Sequence, residues 1–247
     1  MKKAYFISDL HLGASYWGSP RAIEQQAVNL LNHIKEDAEE VFLLGDILDY
    51  WFEYKEVVPR GYVRFFGKLA EMSDSGIKIT WLIGNHDIWI FDYISEEMGI
   101  EVVDGILERD IMGVPFCIQH GDGIGGSAKF RFMRKLFRNK VCQKLYSGIH
   151  PRWTVGFAKY CSRRSRLGYK ADAQPQGTLI NDFEKWCRLQ IGEGNPAKYF
   201  VFGHLHRHHE ISLPNNRRLF VIPDFATEGC YGVFDGVTLR IQSGNVE

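Results

Sequence analysis

No C-x-x-C pair occurs among the five cysteines, which stand at positions 117, 142, 161, 187 and 230. That excludes a thiolate-built structural zinc and a dithiol redox motif. An odd number of scattered cysteines also argues against a disulfide framework, and reduced thiols fit a cytoplasmic compartment. No apolar run reaches the length of a membrane-spanning helix. The opening MKKAYFISDLHLG has two lysines and only a short apolar run before Asp9, which fits neither a secretory signal nor an anchor. Internal repeats and low-complexity tracts are lacking. Net charge is lacking too, with 30 basic and 30 acidic residues, so the chain as a whole gives no case for a nucleic-acid partner.

One absence is local. From Gly123 to Ala171 there is no Asp or Glu, against thirteen Lys or Arg. The remaining chain then carries 17 basic and 30 acidic residues. The neutral total therefore conceals a strongly basic segment, which favours a polyanionic ligand and can steer its approach. The same segment holds eight aromatics, and Phe130, Met133, Phe137, Val141 and Leu145 fall on one stripe of a predicted helix. The periodicity allows two uses of that stripe: packing against the rest of the fold, or an apolar surface for acyl chains or a membrane.

What is present reads as one α/β domain over residues 1–247, with 123–171 as a helical cap inserted in it. Short apolar runs recur, and each ends in a polar cluster. Ala4–Ile7 is followed by SDLH, Val41–Leu44 by GDILD, Ile77–Ile83 by GNHD, Phe116–Gln119 by HGD and Tyr199–Phe202 by GHLH. Such runs read as buried strands. Helical patterns lie between them, over Pro20–Glu39, from Val63 to near Gly76, and after an N-cap at Thr178 with Gly192 beyond the end. HEISL-PNN-RRLFVI and GVFDGVTLRI read as two C-terminal hairpins. The outline is β-α-β-α-β, an insertion, then antiparallel strands. Right-handed crossovers collect the early strand ends on one edge, where open α/β sheets bind ligands.

That edge gathers Asp9, His11, Asp46, Asn85, His120, His204 and His206. His204 and His206 are two apart, so an extended strand end can aim both at one centre. Carboxylate, amide and imidazole donors without thiolate suit Mn, Fe or Zn rather than Ca. Seven donors exceed the needs of one four-coordinate ion and suit a pair, which can clamp both oxygens of a phosphoryl displacement. Glycine precedes three clusters, at Gly45, Gly84 and Gly203, where it permits a tight turn. Asp49, Asp87 and Asp122 are expected to orient ligands or cap turns. His33, His150, His208 and His209 read as structural or solvated.

The ordered set D-x-H, GD-x-x-D, GNHD, HGD and GH-x-H resembles the calcineurin-like metallophosphoesterase superfamily. The resemblance implies a β-sandwich of mixed sheets flanked by helices. It implies two divalent ions, Mn first, held by Asp9, His11, Asp46 and His206 and by Asp46, Asn85, His120 and His204. His86 is similar to the histidine that protonates or stabilises the departing oxygen. Within the superfamily, ISDLHLG, GDILDYWFEY and SDSGIKITWLIGNHD, with a helical insertion after HGD, resemble the UDP-2,3-diacylglucosamine pyrophosphohydrolases of lipid A synthesis. The enterobacterial members carry arginine where this chain has His86. That resemblance implies release of UMP and 2,3-diacylglucosamine 1-phosphate from an anionic lipid-nucleotide. It implies Asn85 and His86 at the phosphates, and a cytoplasmic enzyme with peripheral contact at the inner membrane. The cap lies between His120 and His204, so the chain anchors both its ends near the metals, and its basic and apolar residues are expected to place Arg163, Arg164 or Arg166 at the phosphates or sugar and Phe137 or Val141 at an acyl chain. A soluble phosphoester as substrate, and a non-catalytic scaffold of the same fold, stay open as alternatives.

Overall fold

The structure, a computed structural model, describes residues 2–16, 18–125, 128–158, 160 and 176–244. Two sheets face each other. The first has β1 (Lys3–Ile7), β2 (Ala38–Leu43), β3 (Lys78–Leu82) and β4 (Glu101–Val103) in parallel, with β10 (Cys230–Phe234) antiparallel to β1 and β11 (Leu239–Ser243) at its edge. The second orders β5 (Leu107–Ile111), β6 (Val114–Gln119), β7 (Tyr199–Phe202), β9 (Arg217–Val221) and β8 (His209–Leu213). In it β6, β7 and β9 run parallel, and β5 and β8 are antiparallel edges.

Alternation along each strand builds the layers. Ala4, Phe6, Phe42, Leu44 and Leu82 point inward to meet Phe116, Ile118, Tyr199, Val201, Phe220 and Ile222 of the facing sheet. Phe6 joins the two sheets, stacking on Phe42 at 5.0 Å and on Phe116 at 5.7 Å. Tyr5, Ile7, Val41, Leu43, Ile79 and Trp81 point the other way, onto α1 (Pro20–Ile34), α2 (Val63–Asp74) and α3 (Tyr93–Met98). Outside the second sheet, Cys117, Phe200, Phe202, Leu219 and Val221 pack on Ile180, Phe183 and Cys187 of α7 (Gln176–Gly192). Each fully buried Phe in these layers contributes about 1.5–3 kcal/mol of transfer free energy. The result is the expected α/β sandwich of two mixed sheets flanked by helices.

Three expected boundaries shift. The helix drawn over Pro20–Glu39 stops at Ile34, because Ala38 already pairs with Lys3 in the sheet. Thr178 lies inside α7 rather than capping it, and Gly192 is its last residue. Residues 101–111 hold β4 and β5, which the strand reading passed over. The PNN hairpin turns through Asn215 and Asn216 at φ 59° and 56°, a left-handed pair that suits the twist of a tight hairpin.

Helices α4 (Ala128–Arg138), α5 (Lys140–Ser147) and α6 (151–158) follow β6. Polar contacts dock them on the sandwich. Arg134 and Arg138 donate to Asp122 at 2.7 and 3.3 Å, and Trp89 Nε1 donates to the Phe137 carbonyl at 2.9 Å. The Tyr54 hydroxyl meets Thr154 Oγ1 at 2.6 Å. Among the described residues no helix is long and apolar enough to cross a membrane.

Candidate metal centre

Parallel strands of both sheets end on the same edge. Beyond β1 lie Asp9 and His11, beyond β2 Asp46, beyond β3 Asn85 and His86, beyond β6 His120, and beyond β7 His204 and His206. Backbone bonds draw these loops together: Asp9 N to Gly45 O at 3.2 Å, His11 N to Asp46 O at 2.9 Å, Gly203 N to His120 O at 3.1 Å. His204 N donates to Asp9 Oδ2 at 3.0 Å, and His86 N to Asp46 Oδ1 at 2.8 Å.

Five of these side chains hang from left-handed backbone: Asp9 (φ 53°), His11 (42°), Asp46 (53°), His204 (69°) and His206 (56°). Such non-glycine positions cost about 1–3 kcal/mol each and persist where the surroundings over-determine them. The two glycines at Gly84 and Gly203 serve another end than the expected turn. A Cβ on Gly84 would overlap the Asp46 carboxylate and amide, and one on Gly203 would overlap Ser8 Oγ and lie 3.0 Å from Asp9 Oδ2. Close approach of one loop to another is what demands glycine there.

Among the described residues, three groups offer donor atoms that lie within 4.8 Å of one another: Asp9–His11–His206, His11–Asp46–His86 and Asp46–His120–His204. Asn85 joins the last, with Oδ1 3.2 Å from His120 Nε2. All seven expected ligands are thus brought together, with Asp46 shared. His86 stands beside them, its ring edge-on to His11 at 4.7 Å.

Neighbours aim the rings. His120 Nδ1 donates to the Leu44 carbonyl at 2.7 Å, so Nε2 faces Asp46 Oδ2 at 3.5 Å. Asp49, buried, lies 3.5 Å from His86 Nδ1 and 3.8 Å from His11 Nδ1, and accepts from the Tyr16 hydroxyl at 2.6 Å. Asp87, fully buried, accepts from the backbone of Asp46, Ile47 and Gly84 and from Trp81 Nε1. Asp122 takes the two cap arginines. The three aspartates thus orient ligands, hold loops and anchor the cap. Tyr16, Ser8 and Asp224 are polar neighbours that the motif reading left out. Asp224 was detectable, since LFVIPD is another apolar run ending in a carboxylate.

Two atoms test whether a cation fits. Asp9 Oδ1 and His204 Nδ1 are buried and have no hydrogen-bond partner among the described residues. Burial and the neighbouring His120 push the His204 imidazole down to about 4, which keeps it neutral, the form that binds metal. Burial opposes charge on Asp9, but the surrounding histidines hold its carboxyl well below the usual range. Buried orphan donors and a surplus of carboxylate are what a divalent cation satisfies.

Of the residues expected at the substrate, Phe137 packs its ring on Trp89 at 5.7 Å and helps to line an apolar cavity of about 280 Å³ with Leu136, Leu145, Tyr146 and Ile149. Val141 is 67% exposed and is not among that cavity's lining residues. Arg163, Arg164 and Arg166 lie outside the described residues. Phe130, at the start of the cap, reaches His204, with ring centroids 6.3 Å apart.

Two facing mixed sheets with histidine and carboxylate donors at their joined strand ends define a metallophosphoesterase. Residues 2–208 match the calcineurin-like phosphoesterase family, and the chain belongs to it. It is 35% identical to a UDP-2,3-diacylglucosamine hydrolase from Porphyromonas gingivalis, over 98% of this chain and 97% of that one. A UDP-2,3-diacylglucosamine hydrolase from Nitrosococcus oceani is 25% identical over 90% of this chain and 86% of its own. Among solved structures, Yfce, a phosphoesterase from E. coli, is 16% identical, covers 98% of this chain and 93% of its own, and has a TM-score of 0.47.

Proposed function

We propose that the chain hydrolyses the pyrophosphate of UDP-2,3-diacylglucosamine, giving UMP and 2,3-diacylglucosamine 1-phosphate. What carries the reading is the similarity to the Porphyromonas gingivalis hydrolase over nearly the whole of both chains. The donor set agrees with it. Asp9, His11, Asp46 and His206 would hold one ion, and Asp46, Asn85, His120 and His204 a second. Oxygen and imidazole donors suit Mn²⁺, and Fe or Zn can use the same set.

When bound, such a pair supplies Lewis-acid charge to the phosphoryl oxygens and lowers the pKa of the attacking water. The chain's own residues do the rest. Water adds to one phosphorus, and the bond from that phosphorus to the bridging oxygen breaks. His86 hands a proton to the departing oxygen. Its Nδ1 is held by the Asp49 carbonyl at 3.0 Å, so Nε2 is the nitrogen that gives the proton. Asn85 steadies a phosphoryl oxygen beside it.

In this reading the chain is one domain over 1–247, and 123–171 is its cap. Phe137 or Val141 receives an acyl chain, and Arg163, Arg164 or Arg166 meets the phosphates or the sugar. Exposed Phe132, Val141, Leu145, Trp153 and Phe157 among basic residues with no acid support peripheral contact with the cytoplasmic face of an anionic membrane. The test is turnover of UDP-2,3-diacylglucosamine with Mn²⁺, set against bis-p-nitrophenyl phosphate and soluble nucleotides. The lipid should be the better substrate by kcat/KM. A soluble nucleotide turned over faster than the lipid would overturn the assignment.

A further inference from the structure

Asp224 belongs to none of the motifs, yet it lies on the same edge. It follows β9, which runs parallel to β7, and it is 3% exposed. Ile222 N donates to the Phe202 carbonyl, and Phe225 N donates to the Ser8 carbonyl at 3.1 Å. These two bonds fix the Pro223–Asp224 turn against the loops that carry His204 and Asp9.

The carboxylate has two neighbours of consequence. Both oxygens accept from the Thr227 hydroxyl, at 2.7 and 2.8 Å. Oδ2 also lies 3.7 Å from His206 Nδ1, and that nitrogen lies 3.6 Å from Asp9 Oδ1. His206 Nδ1 is therefore flanked by two carboxylates from different strands. At 3.7 Å the contact is longer than a hydrogen bond.

A plainer role would be to cap α8 (Phe225–Glu228), since Asp224 is its N-cap. The side chain accepts no backbone N–H of that helix, however. A buried carboxylate with one hydroxyl donor needs a positively polarised neighbour, and an imidazole bound to a cation is one. Among the described residues, Asp224 is also absent from every group of donors close enough to share an ion. That separates it from the ligands and leaves it acting through His206.

We infer that Asp224 is a positioning residue: with Thr227 holding it, its carboxylate orients the His206 ring and raises that ring's affinity for the first ion. The inference rests on the proposed metal site. Outer carboxylates beside a ligand set are worth about 10–100-fold in metal affinity.

The test is Mn²⁺ binding, followed by calorimetry and by the spin-coupled resonance signal of an ion pair. Asp224→Asn keeps the shape and keeps a good helix N-cap, so the metal-free protein should melt as the wild type does. It should bind one of its two ions about 10–100-fold more weakly, with the coupled signal giving way to that of an isolated ion. On bis-p-nitrophenyl phosphate, kcat should fall with KM unchanged. Thr227→Val keeps the carboxylate and removes its tether, so the same ion should weaken by a smaller factor. Wild-type affinity for both ions in Asp224→Asn overturns the inference and leaves Asp224 with its contact to Thr227 alone. If that variant does not fold, unchanged affinity in Thr227→Val overturns it equally. A wild-type protein that binds no Mn²⁺ would instead remove the metal-site reading on which the inference stands.

Discussion

Gly84 and Asp46 are packed so closely that a methyl group on the glycine would coincide with the aspartate's carboxylate and amide. The two come from neighbouring parallel strands, β3 and β2. Asp87 locks the pair by accepting from Gly84 N at 2.7 Å and from Asp46 N at 3.3 Å. Gly84→Ala should therefore displace the proposed shared ligand without touching the other candidate donors. A misplacement of this size costs about 10²-fold in rate. Phosphodiester turnover by a variant that still folds checks it, and near-wild-type activity would mean the loop yields cheaply.

Asp46 is the donor common to both proposed ion sites, 3.9 Å from His11 Nε2 and 3.5 Å from His120 Nε2. Asp46→Asn should lose both ions and all turnover. Chelation of the wild type should do the same, with activity returning on added Mn²⁺. Metal content by elemental analysis, read beside activity, decides the matter. Full activity in the metal-stripped enzyme would falsify the dimetal reading.

His86 is held from behind by Asp49, its Nδ1 3.0 Å from the Asp49 carbonyl and 3.5 Å from the carboxylate. His86→Ala should lower kcat by roughly 10²–10⁴-fold, the range for acid–base groups, and keep two ions. Asp49→Asn should lower kcat by less. His86 also lies within donor distance of His11 and Asp46. Loss of an ion from His86→Ala would therefore reassign it from proton donor to ligand.

The pH dependence of metal binding follows from His120. Burial favours the neutral ring, but the Asp46 carboxylate outweighs it, with Asp9 and Asp122 adding, and holds the group at about 10 rather than its ordinary 6.5. A raised base stabilises the metal-free fold fully below its unfolded value and loses that contribution as pH rises through the folded one. The window is therefore from 6.5 to about 10. An incoming cation must displace this proton, so affinity should rise with pH, by up to about tenfold per unit for one proton. Calorimetric Mn²⁺ titrations in buffers of different ionisation heat should show about one proton released per protein near pH 7. Affinity independent of pH, with no proton release, would contradict the account.

Five apolar runs ending in polar clusters make most of the candidate site legible in the sequence, because a parallel strand and the loop after it are local in sequence. The roles of Gly84 and Gly203 were not legible, since each is set by a side chain roughly forty or two hundred positions away. Asp224 escaped for a different reason. Its partner Thr227 is close in sequence, but His206 is brought to it only by the pairing of β7 with β9. The end of α1 was misplaced because helix periodicity runs on past Ile34, while the pairing of Ala38 with Lys3 is tertiary. Residues 101–111 were passed over because a three-residue edge strand and a half-exposed one carry little apolar signal.

The cap yields the last prediction. Helix α6 turns two faces in opposite directions. Thr154, Val155 and Ala158 pack inward, and the Thr154 hydroxyl is tied to Tyr54. Trp153 and Phe157 point outward and are 70% and 65% exposed. Among the described residues these two aromatics stay largely exposed on one face of a docked helix, and the segment around them has thirteen positive charges and no negative one. On the proposed peripheral contact, an anionic bilayer would take up both features, burying the rings at its interface and pairing the charges with its headgroups. Burying a Phe side chain fully is worth about 1.5–3 kcal/mol, and an interface takes up part of that. Trp153→Ser and Phe157→Ser should each weaken sedimentation with anionic phospholipid vesicles by about tenfold or less. Binding should also fall as salt rises, since surface charges are screened within about 10 Å at 0.1 M. Both variants should cleave bis-p-nitrophenyl phosphate as the wild type does, because neither ring is part of the metal centre. Vesicle binding unaffected by either substitution would mean that this face has another use, and the peripheral contact would have to be sought on α4 and α5.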